Sequence, residues 1–358
     1  MSQPVRSGAG AGVRPPSRCV RLASAAGPES KHMNFERRTL SLTVAALGIA
    51  FASAALAEKK TVLVYDDFTK PGNSGYTIVD YSMKWANPFG LGEMASPGGD
   101  TRSFKGNKFS LAAVPFRTGA DFSVFDHLKY AAFSTQSFAV PLRGSLTFSS
   151  TIQAETPGTQ PGRIIEGSYI QGGAPYAQPT FEGQQAGAVM NMVDFASGQL
   201  FDWFISGKRA FTLIERLPGT VTGSDVGLDR AYTQIIDEFP ITPGPQKVAI
   251  RYTRDGTISK VEFLLNDKVV STVNKVGIPL DKQGKLYTGV YPSYGPGEVL
   301  SVSSFSIGHG LFSLLDAFPF QHPDRPDLAV SIPVPNRLFG QGARASFDRF
   351  TVETVNFD

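Results

Sequence analysis

Residues 199–217 read QLFDWFISGKRAFTLIERL, and the fold follows from the way this stretch alternates. Two runs rich in aromatic and aliphatic residues flank Ser206-Gly207-Lys208, a connection of turn-forming type. A two-residue turn at Gly207-Lys208 sets the register of an antiparallel hairpin. Ser206 then faces Arg209, Phe204 faces Phe211, Asp202 faces Leu213 and Leu200 faces Glu215. Side chains alternate between faces along a strand, so Phe201, Trp203 and Ile205 share one side, which reads as core filling. Asp202 and Glu215 share the other.

The same pattern recurs on both sides of the hairpin. Leu146, Phe148, Ile152 and Ala154 alternate with Thr147, Thr151 and Gln153, and Val248, Ile250 and Tyr252 with Lys247, Ala249 and Arg251. Turn signals fall between runs at Ser197-Gly198, Asp255-Gly256 and Asn266-Asp267. Strands are predicted near 61–66, 109–117, 130–140, 144–155, 187–195, 199–206, 209–217, 232–239, 246–254, 258–266, 268–273, 286–291, 299–307 and 347–355. No stretch carries sustained helical periodicity. The expected fold class is all-β, a two-sheet antiparallel β-sandwich. Two long loops interrupt it: 156–185, with Tyr169, Tyr176 and Phe181, and 308–345, with five prolines and Phe312, Phe318, Phe320 and Phe339.

Upstream, Met33 opens a short charged head (Asn34-Phe35-Glu36-Arg37-Arg38), followed by an apolar run from Thr39 to Ala54 and the small-residue sequence Ala55-Leu56-Ala57. That order predicts a secretory signal peptide over Met33–Ala57, too short for a stable membrane span. Arg37-Arg38 also resembles a twin-arginine export signal, without the aromatic residue usual after the pair. Residues 1–32, rich in Arg, Pro, Gly, Ala and Ser, read as a non-native or disordered extension. Residues 58–358 are expected to form a single exported sandwich domain, secreted or periplasmic.

Composition narrows the chemistry. The one cysteine, Cys19, lies before the signal, so the exported chain has no disulfide, thiolate metal site or cysteine nucleophile. The net charge of +3 is carried by residues 1–57, which hold seven basic and two acidic residues. Without Met1–Ala57 the balance is 27 basic against 29 acidic residues, which argues against nucleic acid or a polybasic membrane patch. His127, His309 and His322 show neither metal-ligand spacing nor a neighbouring Gly-x-Ser-x-Gly motif.

Several segments resemble known folds. Val64-Tyr65-Asp66-Asp67-Phe68, with Trp85 downstream, and Ser346-Phe347-Asp348-Arg349-Phe350-Thr351-Val352 resemble the paired first and last strands of concanavalin-A-like lectin/glucanase jelly rolls. Lys247 to Val273 is similar to the hairpin before the closing sheet of that superfamily. Phe201-Asp202-Trp203-Phe204, Ile214-Glu215-Arg216-Leu217-Pro218, Leu315-Asp316-Ala317-Phe318-Pro319-Phe320 and Arg337-Leu338-Phe339-Gly340-Gln341-Gly342 resemble an uncharacterised family of secreted proteins of unknown function. The resemblance implies a jelly roll and says little about activity. The Glu-x-Asp-x-x-Glu and Glu-x-Asp-x-Glu spacings of retaining jelly-roll glucanases are absent.

The candidate chemistry centres on the hairpin. As diagonal neighbours, Asp202 and Glu215 have Cα atoms about 7–8 Å apart. A turn at Ser197-Gly198 adds Asn191 and Val193 to their face. Two carboxyls so placed, one desolvated by Phe204, Phe211 and Leu213, suit general acid and base roles. The alternative is that they bond loop backbone or pair with Arg216, Arg209 or Arg251. Asn191, Arg216, Tyr169, Tyr176 and Gln341 are candidate ligand contacts. By likeness to jelly-roll binding modules, Asp66, Asp67 and Asp348 are candidate ligands for a structural calcium, the one cofactor considered. The expected role is non-catalytic binding of an extracellular or periplasmic ligand, carbohydrate by fold analogy. A polysaccharide hydrolase or lyase using Asp202 and Glu215, and a structural cell-envelope protein, are the alternatives. The sequence leaves the oligomeric state open.

Overall fold

The structure, a computed structural model, describes residues 59–72, 75–86, 101–117, 128–285, 295–315 and 329–357. The leader predicted over Met33–Ala57 and the strand predicted at 286–291 lie outside the described residues. The strands there are, in chain order, Lys59–Asp66 (β1), Trp85–Ala86 (β2), Thr101–Phe104 (β3), Lys108–Ala113 (β4), Leu128–Ser134 (β5) and Phe138–Ala139 (β6). Arg143–Glu155 (β7), Ile164–Tyr169 (β8), Pro175–Pro179 (β9), Gly187–Val193 (β10), Gln199–Ile205 (β11), Arg209–Arg216 (β12) and Tyr232–Pro240 (β13) follow. Gln246–Asp255 (β14), Ile258–Leu265 (β15), Lys268–Asn274 (β16), Ser304–Phe312 (β17), Val330–Ser331 (β18) and Ala343–Asn356 (β19) complete the set.

Two large antiparallel sheets make the expected β-sandwich. The first runs β16-β15-β14-β7-β19-β4-β3, with β1 also paired to β19. The second runs β13-β12-β11-β10-β17-β5-β2, with β6 also paired to β17. First and last strands pair as the resemblance implies, from Lys59 opposite Asn356 to Asp66 opposite Phe350. The core between the sheets takes the inward residues of both: Leu146, Phe148, Ile250 and Tyr252 from one, Met190, Phe201, Trp203 and Ile214 from the other. Burying this apolar surface is the main stabilising term. Trp203 also pins the layers together, its indole N–H donating to the Ala249 carbonyl at 2.9 Å. Among the described residues no helix is long and apolar enough to cross a membrane.

Several predicted boundaries shift. The run 130–140 breaks into β5 and β6, because the Ser134 hydroxyl donates to the Gln136 carbonyl across a polar bend. The strand predicted at 299–307 starts at Ser304 and continues to Phe312. The stretch 156–185 is not wholly loop. Gly172 (φ +78°) and Gly173 (φ +65°) turn the chain so that β8 and β9 pair, and β18 joins them in a third, three-stranded sheet. Ile165, Leu315, Val330 and Ile332 form its small core, with Tyr169, Tyr176 and Phe339 packed against it.

Candidate functional site

The outer face of the second sheet, turned away from the main core, carries a second apolar layer. Phe133, Val189, Val193, Leu200, Phe204, Phe211, Leu213 and Ile235 belong to it. The hairpin register is the one the Gly207-Lys208 turn predicts: Asp202 lies opposite Leu213, Leu200 opposite Glu215 and Phe204 opposite Phe211. Asn191 of β10 lies opposite Asp202, and Gly308 of β17 opposite Asn191. On the other side, Thr233 of β13 lies opposite Glu215. Four polar side chains from four adjacent strands therefore share one apolar face. Asn191 is 1 % exposed, Asp202 3 %, Thr233 5 % and Glu215 6 %.

The main chain makes room for them. A Cβ on Gly308 would sit 2.3 Å from Asn191 Oδ1 and 2.8 Å from the Phe133 ring, so only glycine lets that amide lie flat across β17. Aromatic contacts close the two ends of the face. Phe181, just before the helical turn Glu182–Gln185, stacks on Phe211 at 5.5 Å. Phe195, just after β10, meets Phe133 edge-on at 5.4 Å.

Burial in this layer sets the electrostatics. Desolvation pushes the Asp202 carboxyl well above the usual aspartate range, and the negative charge of Glu215 pushes it further; the hydrogen bond from the Asn191 amide opposes both. Desolvation likewise pushes Glu215 up, to about 8. Like charges this close in a dry setting do not both ionise cheaply, so near neutral pH the pair keeps at least one proton. The arginines weighed as counter-ions are engaged elsewhere: Arg216 with Glu298, Arg209 with Glu238 at 2.5 Å and Arg251 with Glu262 at 2.9 Å. Asn191 Oδ1, Asp202 Oδ1 and Thr233 Oγ1 are buried without a hydrogen-bond partner among the described residues.

The remaining predicted site residues lie apart from this face. Arg216 alternates away from Glu215, and its Nε donates to the Ser197 carbonyl at 3.1 Å. Tyr169 and Tyr176 meet edge-on at 5.8 Å on the third sheet, where burial raises the Tyr176 phenol to about 12. Gln341 braces the turn before β19, its Oε1 accepting from the Phe339 N–H at 2.9 Å and its Nε2 donating to the Arg337 carbonyl. Asp66 accepts from the Phe68 N–H, the Tyr76 hydroxyl, the Lys84 ammonium and the Trp85 indole. Asp67 accepts from the main chain and side chain of Thr69, and Asp348 lies 3.9 Å from Lys108. The three acids do not converge on a cation: among the described residues no group of three His, Cys, Asp or Glu side chains is placed to share one.

Sequence reasoning missed Thr233 and Gly308. Residues 217–231 separate Thr233 from the hairpin, and the β12–β13 register shifts at Thr212/Leu213, so counting from a turn does not reach it. For Gly308, the alternation of glycines with Ile307, His309 and Leu311 in a strand was the available signal.

A family model described as a family of unknown function (DUF6081) matches residues 108–356, and the chain belongs to that family. The match includes Asn191, Asp202, Glu215, Thr233 and Gly308 and leaves Asp66 outside. Comparison with curated protein sequences gives no match. Among solved structures, the endo-1,3-β-glucanase from Streptomyces sioyaensis is similar at 12 % identity and a TM-score of 0.40, over 84 % of this chain and 97 % of that one. β-Agarase B from Zobellia galactanivorans is similar at 10 % identity and 0.45, over 83 % and 94 %. A family 7 alginate lyase, A1-II′, is similar at 10 % identity and 0.34, over 70 % and 80 %. The likeness concerns the fold and goes no further.

Proposed function

We propose that this chain is an exported, non-catalytic binder of a hydroxyl-rich extracellular or periplasmic ligand, a carbohydrate, held over the outer face of the second sheet. One observation carries the reading: Asn191 Oδ1, Asp202 Oδ1 and Thr233 Oγ1 lie buried on the same face with no hydrogen-bond partner among the described residues. Leaving such an atom unmet costs about 1–3 kcal/mol, and native proteins retain few. Sugar hydroxyls, which both donate and accept, would meet all three. A purely structural role gives no reason to concentrate unmet atoms here.

A second reading, acid–base chemistry on a polysaccharide, is favoured by the pairing of two desolvated carboxyls on adjacent rungs, one held protonated near neutral pH. One experiment separates the two. Residues 58–358 are screened on a glycan array and against polysaccharides for chain cleavage, beside Asp202→Asn and Glu215→Gln. Binding without cleavage, weakened in both variants, is the expected result. Cleavage abolished by both favours the enzyme, and binding untouched by both removes this face from consideration. Export is checked separately: the protein recovered outside the cytoplasm should begin near Glu58.

A further inference from the structure

We propose that the ligand group seated between Asp202 and Glu215 is a primary ammonium, that of an amino-sugar residue. The inference rests on the carbohydrate reading above and names the sugar. Two acids buried side by side hold a proton when no cation is present, because their mutual repulsion is not screened where water is excluded, and a bound cation would take that proton's place. Among the described residues the three arginines weighed as counter-ions are engaged elsewhere. Arg209, Arg216 and Arg251 hold Glu238, Glu298 and Glu262, while Lys129, at the far end of β5 from Phe133, lies over the Phe116 ring at 5.9 Å. The unmet atoms suit an amine-bearing sugar: its ammonium brings three donors and no acceptor to Asp202 Oδ1, and its hydroxyls can donate to Asn191 Oδ1 and Thr233 Oγ1 on the flanking strands.

The walls favour an organic cation over a metal ion. Calcium draws its oxygens to within about 2.3–2.6 Å of one point, whereas these two carboxyls, amide and hydroxyl come from four neighbouring strands and lie along a row. Phe204 and Phe211, edge-to-face at 6.4 Å and both buried, stand on the next rung and keep the surroundings of the acids apolar. The neutral groups flank the acids, with Asn191 opposite Asp202 and Thr233 opposite Glu215. Across four strands the row is about 14 Å long, enough to hold ring hydroxyls on either side of the amine. A uronate at this position would add a negative charge beside the acids.

The test is calorimetric titration of residues 58–358 with β-1,4-linked tetramers of glucosamine, N-acetylglucosamine, glucose and glucuronate, with spermidine and calcium chloride as further arms. The expected result is that the glucosamine tetramer binds at least about tenfold tighter than its N-acetyl and neutral counterparts. That advantage should vanish in the Asp202→Asn/Glu215→Gln double variant while circular dichroism shows it folded. If the double variant does not fold, selectivity of the wild type among the four sugars decides. Equal or tighter binding of a neutral, N-acetylated or uronate tetramer overturns the ammonium and leaves the carbohydrate reading standing. Spermidine or calcium bound tighter than any sugar, through the same two acids, overturns both. So does an absence of binding in every arm.

Discussion

Two buried aspartates in this molecule have opposite fates. Asp66, 1 % exposed, receives hydrogen bonds from Phe68 at 3.1 Å, Tyr76 at 2.7 Å, Lys84 at 2.9 Å and Trp85 at 2.8 Å. Asp202, 3 % exposed, faces a second acid and keeps one oxygen unpartnered. The first ties the end of β1 to the helix Ile78–Lys84 and to β2, as a charge does when donors surround it. The second has been given an apolar setting, one amide and a like-charged neighbour. Where a fold satisfies one buried acid completely and leaves another unmet, the unmet one is the better candidate for a ligand.

The sharpest way to break this contrast is to remove Asp66. Asp66→Ala strands an ammonium, a phenol and an indole N–H, so unfolding free energy should fall by about 3–5 kcal/mol in denaturant titration. A loss as small as that of a surface substitution would show the hub to be dispensable. The pair on the outer face should behave in the reverse sense. Glu215 has a folded-state pKa of about 8 against 4.5 in the open chain. Its contribution to stability is therefore fully present below pH 4.5 and is lost as pH rises through 8. Glu215→Gln removes that loss, and near pH 8 the variant should be more stable than the parent by about 3 kcal/mol, read as a raised Tm. A variant that melts below the parent at that pH would place Glu215 with Asp66 instead.

His309 makes a third, intermediate case. Its Nε2 meets the Tyr81 hydroxyl at 2.8 Å, its Nδ1 is unpartnered, and it sits against Trp85, Phe347 and Phe350 between the sheets. Burial pushes it down to about 3 from 6.5, so its share of stability is intact above 6.5 and lost as pH falls toward 3. By about pH 5 that loss should reach about 2 kcal/mol. His309→Phe should flatten the acid limb of the stability profile, at a fixed cost of about 1 kcal/mol for the Tyr81 bond. An unchanged acid limb would assign acid unfolding to other groups.

What was legible in the sequence was what alternation and tight turns determine locally. The hairpin register, the inward Trp203 and the shared face of Asn191, Asp202 and Glu215 all follow from one turn at Gly207-Lys208. The hidden parts depend on residues far apart in the chain. Asp66 looked like a metal ligand because its donors, 10 to 19 positions away, are set by tertiary packing. Tyr169 and Tyr176 looked like loop aromatics free to meet a ligand, yet the strands they lie on pair around their own small core. Arg216 looked available to the acids and is drawn off by Glu298, 82 residues along.

The protonation of the outer pair is the measurement on which the account turns. In a carbon-13 NMR pH titration of the side-chain carboxyls, Glu215 should titrate near 8 and Asp202 well above an ordinary aspartate, with the Asp202 midpoint falling when Glu215 is replaced by glutamine. Two independent titrations near 4 would mean an outer face open to water, with no desolvated acid pair for a ligand to meet.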